Sequence, residues 1–194
     1  MDIYYMKWVI NSYHGNIDWI KEYTDDVVYY DKKDKNCGSN IHDYMSYIVD
    51  NYDNLPDRVL FGKTNMLQRH LNKEEFDILL QKDGLVPLMT QTHKVYDPVC
   101  HYDKDGMYCE KNDSWYLHIY PTVHYDQYYK FAEAFDLPNP KYLAFAPGAC
   151  WIVPRENILK RSRDYYTRLR DIVEHDSNPG EAHMIERALF YIWS

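Results

Sequence analysis

Residues 142–159, Tyr142-Leu-Ala-Phe-Ala-Pro-Gly-Ala-Cys-Trp-Ile-Val-Pro-Arg-Glu-Asn-Ile-Leu, read as an apolar strand, a Pro-Gly corner, a second apolar strand and a helix opened by Pro154. Working towards the C-terminus, Pro179-Gly-Glu-Ala-His-Met-Ile-Glu-Arg-Ala-Leu-Phe-Tyr-Ile-Trp reads as a helix. Its i, i+3, i+4, i+7 spacing puts His183, Glu186, Arg187 and Phe190 on one face. An apolar framework thus delivers a charged cluster to a defined place. Core packing has no use for such a cluster, so it marks a place to look for a site.

Working towards the N-terminus, strands and helices alternate. Lys7-Trp-Val-Ile-Asn-Ser-Tyr and Asp26-Val-Val-Tyr-Tyr-Asp-Lys-Lys are strands with polar ends, separated by a short helix in residues 14–23. Ile41, Tyr44, Met45, Ile48, Val49 and Tyr52 share one helical face, with Ser39 or Asn40 as the expected cap. Arg58-Val-Leu-Phe-Gly is a third strand, and Asn72-Lys-Glu-Glu has the form of a capping box opening a helix. The middle region differs. Residues 95–102 and 107–109 form an expected hairpin across Asp105-Gly106, residues 112–120 an expected strand, and residues 125–135 a helix.

This alternation predicts an α/β fold with a mixed, mostly parallel sheet flanked by helices and a β-rich insertion. In such sheets ligands bind where the strands end. The first three strands end in Asn11-Ser-Tyr-His, Asp31-Lys-Lys-Asp and Lys63-Thr-Asn, so polar residues collect where a nucleotide would sit.

The 194 residues suit one domain, with residues 1–84 as a nucleotide-binding half and 85–194 as a metal and acceptor half. A net charge of −8 argues against a nucleic-acid partner, because phosphate contacts need a basic surplus. The 21 tyrosines decide little: they fit A/T-rich coding as well as stacking roles. Cys37, Cys100, Cys109 and Cys150 show no C-x-x-C pairing and read as reduced thiols of a cytoplasmic protein. No basic leader precedes an apolar run, and no apolar stretch has the length of a membrane span.

Several segments carry a likeness: Asn16-Ile-Asp-Trp-Ile, Tyr30-Asp-Lys, Asn36-Cys-Gly-Ser-Asn-Ile-His-Asp-Tyr, Tyr47-Ile-Val-Asp-Asn-Tyr-Asp-Asn-Leu-Pro-Asp and Val59-Leu-Phe-Gly-Lys. Later come Phe145-Ala-Pro-Gly-Ala, Val153-Pro-Arg-Glu-Asn-Ile-Leu, Ala182-His-Met-Ile-Glu-Arg and Tyr191-Ile-Trp. Together they resemble the small GT-A-type glycosyltransferase domains of chlorella viruses, other giant viruses and fungi, including the N-terminal domain of capsid-glycan glycosyltransferases. The likeness covers most of the chain and is weakest around residues 85–140. It implies a GT-A fold, a UDP-sugar donor, a glycan or glycoprotein acceptor and a divalent metal, usually Mn²⁺ with Mg²⁺ as the alternative. It also implies a setting in viral capsid-glycan synthesis, in the host cytoplasm, as a chain alone or as one domain of a longer polypeptide.

The metal expectation falls on Asp103 and Asp105, the sole literal Asp-x-Asp. A GT-A enzyme usually carries that motif at the end of a central strand, whereas here the corresponding strand ends Gly62-Lys-Thr-Asn without a carboxylate. Carboxylates suit a hard cation, and a plain hairpin turn is the competing reading. The donor would be held by Ser12, Tyr13 and Asp31 at strand ends, by Asn40 at a helix start, and by the cations Lys63 and Arg69, all of which also read as ordinary loop, cap or surface residues. Asp43 shares that helix start and the same two readings. On the acceptor side Glu181 and His183 are the expected catalytic pair, with Glu186 and Arg187 beside them. The alternative is an ion network on a helix surface. His93, His101, His118 and His124 read as scattered surface residues. Two other functions compete with sugar transfer: a metal-dependent nucleotide-sugar phosphoesterase and a non-catalytic glycan-binding module.

Overall fold

The computed structural model describes residues 6–12, 15–32 and 36–194. The chain begins with β1 (Met6–Ser12), α1 (Asp18–Lys21), β2 (Val27–Asp31), α2 (Ser39–Asn51) and β3 (Arg58–Lys63). α3 (Met66–Arg69), α4 (Lys73–Leu80) and β4 (Val86–Pro87) follow, then the hairpin strands β5 (Cys100–Tyr102) and β6 (Tyr108–Lys111). After α5 (Tyr128–Ala134) come β7 (Tyr142–Phe145), β8 (Trp151–Pro154), α6 (Arg155–Ile158), α7 (Arg163–Asp171) and α8 (Gly180–Trp193).

Five strands form one sheet in the order β2-β1-β3-β8-β4, and three form a second in the order β5-β6-β7. β1 pairs in parallel with β2 and β3, while β8 runs antiparallel to both β3 and β4. The large sheet is therefore mixed, as expected, though its parallel and antiparallel pairings are equal in number and not mostly parallel. The hairpin expected across Asp105-Gly106 is present, and β7 joins it on the far side of β6. Hence β7 and β8, adjacent in sequence, lie in different sheets, and the turn at 146–149 bridges them.

Strand periodicity builds two cores, because successive side chains point to opposite faces. Trp8, Ile10, Leu60 and Ile152 pack on one face with Ile20, Met66 and Phe76 of α1, α3 and α4. Val9, Val59, Phe61, Trp151 and Val153 pack on the other with residues of α2, α7 and α8. Trp193 is fully buried there and stacks on Phe61 at 5.5 Å. Burying each such large apolar side chain contributes roughly 1.5–3 kcal/mol.

Local chemistry explains most boundaries. Asn72 and Glu75 form the reciprocal capping box at α4. At α2 the expected Ser39 or Asn40 cap is corrected. The cap residue is Gly38, at φ +62°, with no side-chain bond. The amides of Gly38 and Ser39 instead donate to the carbonyls of Asp176 and Ser177. The strand expected over 112–120 is a 3-10 turn at Trp115–His118. Ser114 adopts φ +55° there, which breaks an extended path, and Tyr116 turns into the core. No helix among the described residues is long and apolar enough to cross a membrane.

Candidate functional site

The register of β1, β2 and β3 sets Ser12 beside Asp31 and Asn11 beside Lys63, so their carboxyl ends share one edge. β8 enters from the opposite direction with Trp151 beside Phe61, which brings the preceding turn close to that edge. Gly148 sits in this turn at φ +90°. Its N–H donates to Glu186 Oε1 at 2.9 Å, and its carbonyl accepts from Asn40 Nδ2 at 3.2 Å. A Cβ at this position would lie 2.3 Å from Nε2 of His70. Backbone angle and close approach both require glycine.

Behind the edge lies a buried polar lattice. Lys32 Nζ is 2.8 Å from Asp43 Oδ1, with side chains 3% and 5% exposed. Asn11 donates its amide to Asp43 Oδ2, and Lys32 also donates to the Cys37 carbonyl at 2.8 Å. β1, the segment after β2, and α2 are thus tied at one point. Asn11 is fully buried, yet its Oδ1 has no partner among the described residues.

Beside Gly148 the groups are unusually underbonded. Both ring nitrogens of His70 and Nε2 of His183 are buried without partners among the described residues. Burial, reinforced by Lys63, pulls the His70 imidazole down to about 4. Burial pulls His183 down to about 4 as well, against the opposing influence of Glu186. The His183 ring stacks on Tyr120 at 4.0 Å. Burial pushes the Glu186 carboxyl up, but Arg187, Lys63, His183 and the Gly148 amide outweigh it and hold the group below the ordinary glutamate value. Burial pushes the Cys150 thiol up to about 11, so it is no nucleophile at neutral pH.

The profile of a family described as "Protein of unknown function (DUF3431)" matches residues 5–194. The chain belongs to this family. No curated protein and no solved structure matches it. The DUF3431 match spans nearly the whole sequence, so both sheets and the strand-end edge fall within the family's own domain.

The residues expected from sequence fall in different places on this DUF3431 fold. Ser12, Asp31 and Lys63 share the strand-end edge, and Tyr13 lies outside the described residues. Lys63 lies in the β1–β3 ladder by its backbone, and its side chain makes no hydrogen bond or ion pair among the described residues. Asn40 is buried and holds the Gly148 carbonyl, while Arg69 is exposed at the end of α3. Asp103 closes the hairpin turn: its Oδ1 accepts from the amides of Asp105 and Met107, each at 2.9 Å. Neither Asp103 nor Asp105 hydrogen-bonds or ion-pairs with the edge residues. They line a separate cavity of about 330 Å³ with Lys82, Asp83 and Val86. Among the described residues no group of three or more His, Cys, Asp or Glu side chains is arranged to hold a metal ion. Asp103 Oδ1 is thus spent on the hairpin turn, and the pair sits apart from the strand-end edge.

On the acceptor side α8 is buried, not a surface helix. Arg187 grips Glu110 Oε1 of β6 through Nε and Nη2 at 3.0 and 2.7 Å, and lies over the Tyr116 ring at 4.3 Å. Glu181 is 0% exposed. Its Oε1 accepts from the amides of Val123 and His124 at 2.8 and 2.7 Å, and its Oε2 meets His175 Nε2 at 3.0 Å. Both oxygens are committed, which leaves none to take a substrate proton. Glu181→Ala is accordingly expected to cost about 2–3 kcal/mol in urea unfolding, the range for hydrogen bonds to a charged acceptor. A change under about 0.5 kcal/mol would show that the 123–125 segment is held by other means.

Sequence reasoning missed Asn11, His70 and Gly148, and passed over Glu186 in favour of Glu181. A Pro-Gly pair between two apolar strands was the available signal for Gly148. His70 carried none, because its role comes from a turn 78 positions away in the chain.

Proposed function

We propose that this chain is a glycosyltransferase of the GT-A kind, moving a sugar from a UDP-sugar to a glycan or protein-linked acceptor. The observation that carries the reading is the strand-end edge itself. Asn11, Lys63, His70 and Gly148 converge there, with buried polar atoms that lack partners inside the described residues. Such atoms are costly to leave unmade, so a polar ligand that satisfies them is the economical explanation. The sequence likeness around residues 145–149 and 182–187 supports the same reading.

In this reading the nucleotide lies across the ends of β1 and β2, near Ser12 and Asp31. Lys63 takes the charge that builds on the departing diphosphate, and electrostatic help of that kind is often the largest catalytic term. Arg69, exposed on the turn beyond β3, supplies a second cation to the phosphates. No step is routed through a metal: Asp103 and Asp105 lie on the hairpin, and no hydrogen bond or ion pair links them to this edge.

The test is a thermal-shift panel of UDP, GDP, CMP and ADP, each with and without Mn²⁺. UDP alone is expected to raise the melting temperature, by an amount equivalent to about 2.7 kcal/mol at a hundredfold excess over Kd. The same shift is expected in the double variant D103N/D105N. Equal shifts with every nucleotide, or none with any, would overturn the UDP reading.

A further inference from the structure

We propose that Glu186 is the group that takes the proton from the acceptor hydroxyl, an assignment that rests on the sugar-transfer reading above. The geometry singles it out by elimination and by fit. Glu181 has both oxygens engaged. Asp43 is equally committed, one oxygen to Lys32 and the other to Asn11. Asp31 ends β2, two strands from β3 across the sheet, about 10 Å at the usual spacing. The free nitrogen of His183 is sealed in the protein under the Tyr120 ring, and both nitrogens of His70 are buried against Gly148.

Glu186 differs from these in its bonding, not in its exposure, which is partial like that of His70 and His183. The Gly148 amide fixes one carboxylate oxygen at 2.9 Å, and the other makes no hydrogen bond to any described residue. One oxygen is thus anchored and one is open at the strand-end edge, which is the arrangement a positioned base needs. Its charge also interacts with Lys63, the cation assigned to the leaving group. Through its bond to Gly148 the carboxylate faces the edge at which β3 ends in Lys63, and the anomeric carbon would lie between the two.

The step balances as follows. The acceptor oxygen forms a bond to the anomeric carbon while its proton passes to the open oxygen of Glu186. The bond between that carbon and the β-phosphate oxygen breaks, and its electron pair leaves with UDP, whose new charge faces Lys63. Glu186 afterwards returns the proton to solvent. His183, one turn before Glu186 on α8 and stacked on Tyr120, borders the same carboxylate.

The experiment uses the full chain with UDP-glucose, UDP-galactose and UDP-N-acetylglucosamine as donors and water as the acceptor, following UDP release. UDP affinity is measured by calorimetry and the melting temperature on the same preparations. Wild type is expected to release UDP from at least one donor. E186Q is expected to bind UDP as wild type does while its turnover falls by about 10²–10⁴-fold, the usual contribution of a positioned base. E186D keeps the charge but withdraws the oxygen, and it is expected to keep the melting temperature and still lose rate, so the test stands even if E186Q is unstable. Turnover at the wild-type level in E186Q, or in E186D where E186Q fails to fold, overturns the Glu186 assignment and leaves the transferase reading intact. A wild-type chain that neither binds UDP nor releases it from any donor overturns both.

Discussion

Replacing Asp43 with alanine is expected to destabilise the chain by about 3–5 kcal/mol, the cost of breaking a buried ion pair from one side. Lys32 would remain 3% exposed with, among the described residues, the Cys37 carbonyl as its remaining partner. The amide of Asn11, itself fully buried, would lose its acceptor at the same time. An unpaired buried charge is far more costly than the pair is favourable, so the effect measures desolvation and not the intrinsic strength of the bridge. The companion variant Lys32→Met with Asp43→Leu is expected to recover a good part of the loss, because a buried pair can often be replaced by apolar groups of similar size. Urea unfolding with an unchanged m-value would give both numbers. A loss below about 1 kcal/mol for Asp43→Ala would mean that water reaches Lys32.

The second large effect concerns mild acid. His70 and His183 are both held neutral down to about pH 4 in the fold, chiefly by burial, whereas an unfolded histidine takes its proton near 6.5. Between those values the unfolded chain binds more protons, so stability is complete above about 6.5 and falls as the pH drops towards 4. At about 1.4 kcal/mol per pH unit, each histidine contributes roughly 3 kcal/mol across that window. His93 is shifted in the same direction by burial and adds to the slope. The glutamates act in a different window. Glu181 and Glu186 sit below the ordinary value, so what they contribute is present above about 4.5 and is lost only as the pH falls through their lowered values. Urea midpoints at pH 7.0, 5.5 and 4.5 should therefore fall steadily, and H70Q/H183Q should flatten the decline. A wild-type chain equally stable at pH 7.0 and 4.5 would show that these rings are hydrated.

Much of the fold could be read from local pattern. The β1–β3 strands, the α4 capping box, the Asp105-Gly106 hairpin and the strand-corner-strand at 142–154 each announce themselves within a few residues. Failures came where a distant partner decides. Residues 114–120 have the composition of a strand, but Ser114 is turned by its backbone and Tyr116 is claimed by the core beneath Arg187. The pairing of β7 and β8 could not be read locally either, because their partners are the distant β6 and β3. The site followed the same rule. Lys63 was legible because a lysine at a strand end is a local fact. Glu181 and Glu186 look alike in sequence, five positions apart on one helix. Only the chain that folds over each tells them apart: the 123–125 amides consume Glu181, and a single amide of Gly148 leaves Glu186 half free.

The turn at 146–149 begins in the three-stranded sheet and ends in the five-stranded one. Anyone wishing to graft it onto another scaffold would find that its two anchor points belong to separate structural pieces, set by β6 on one side and β3 on the other. The smallest portable unit is therefore not a loop with two flanking strands but the whole two-sheet assembly. Homologue recombination that swaps one sheet and keeps the other should place its crossover elsewhere, since a cut through this turn would mismatch the parts whose spacing it records.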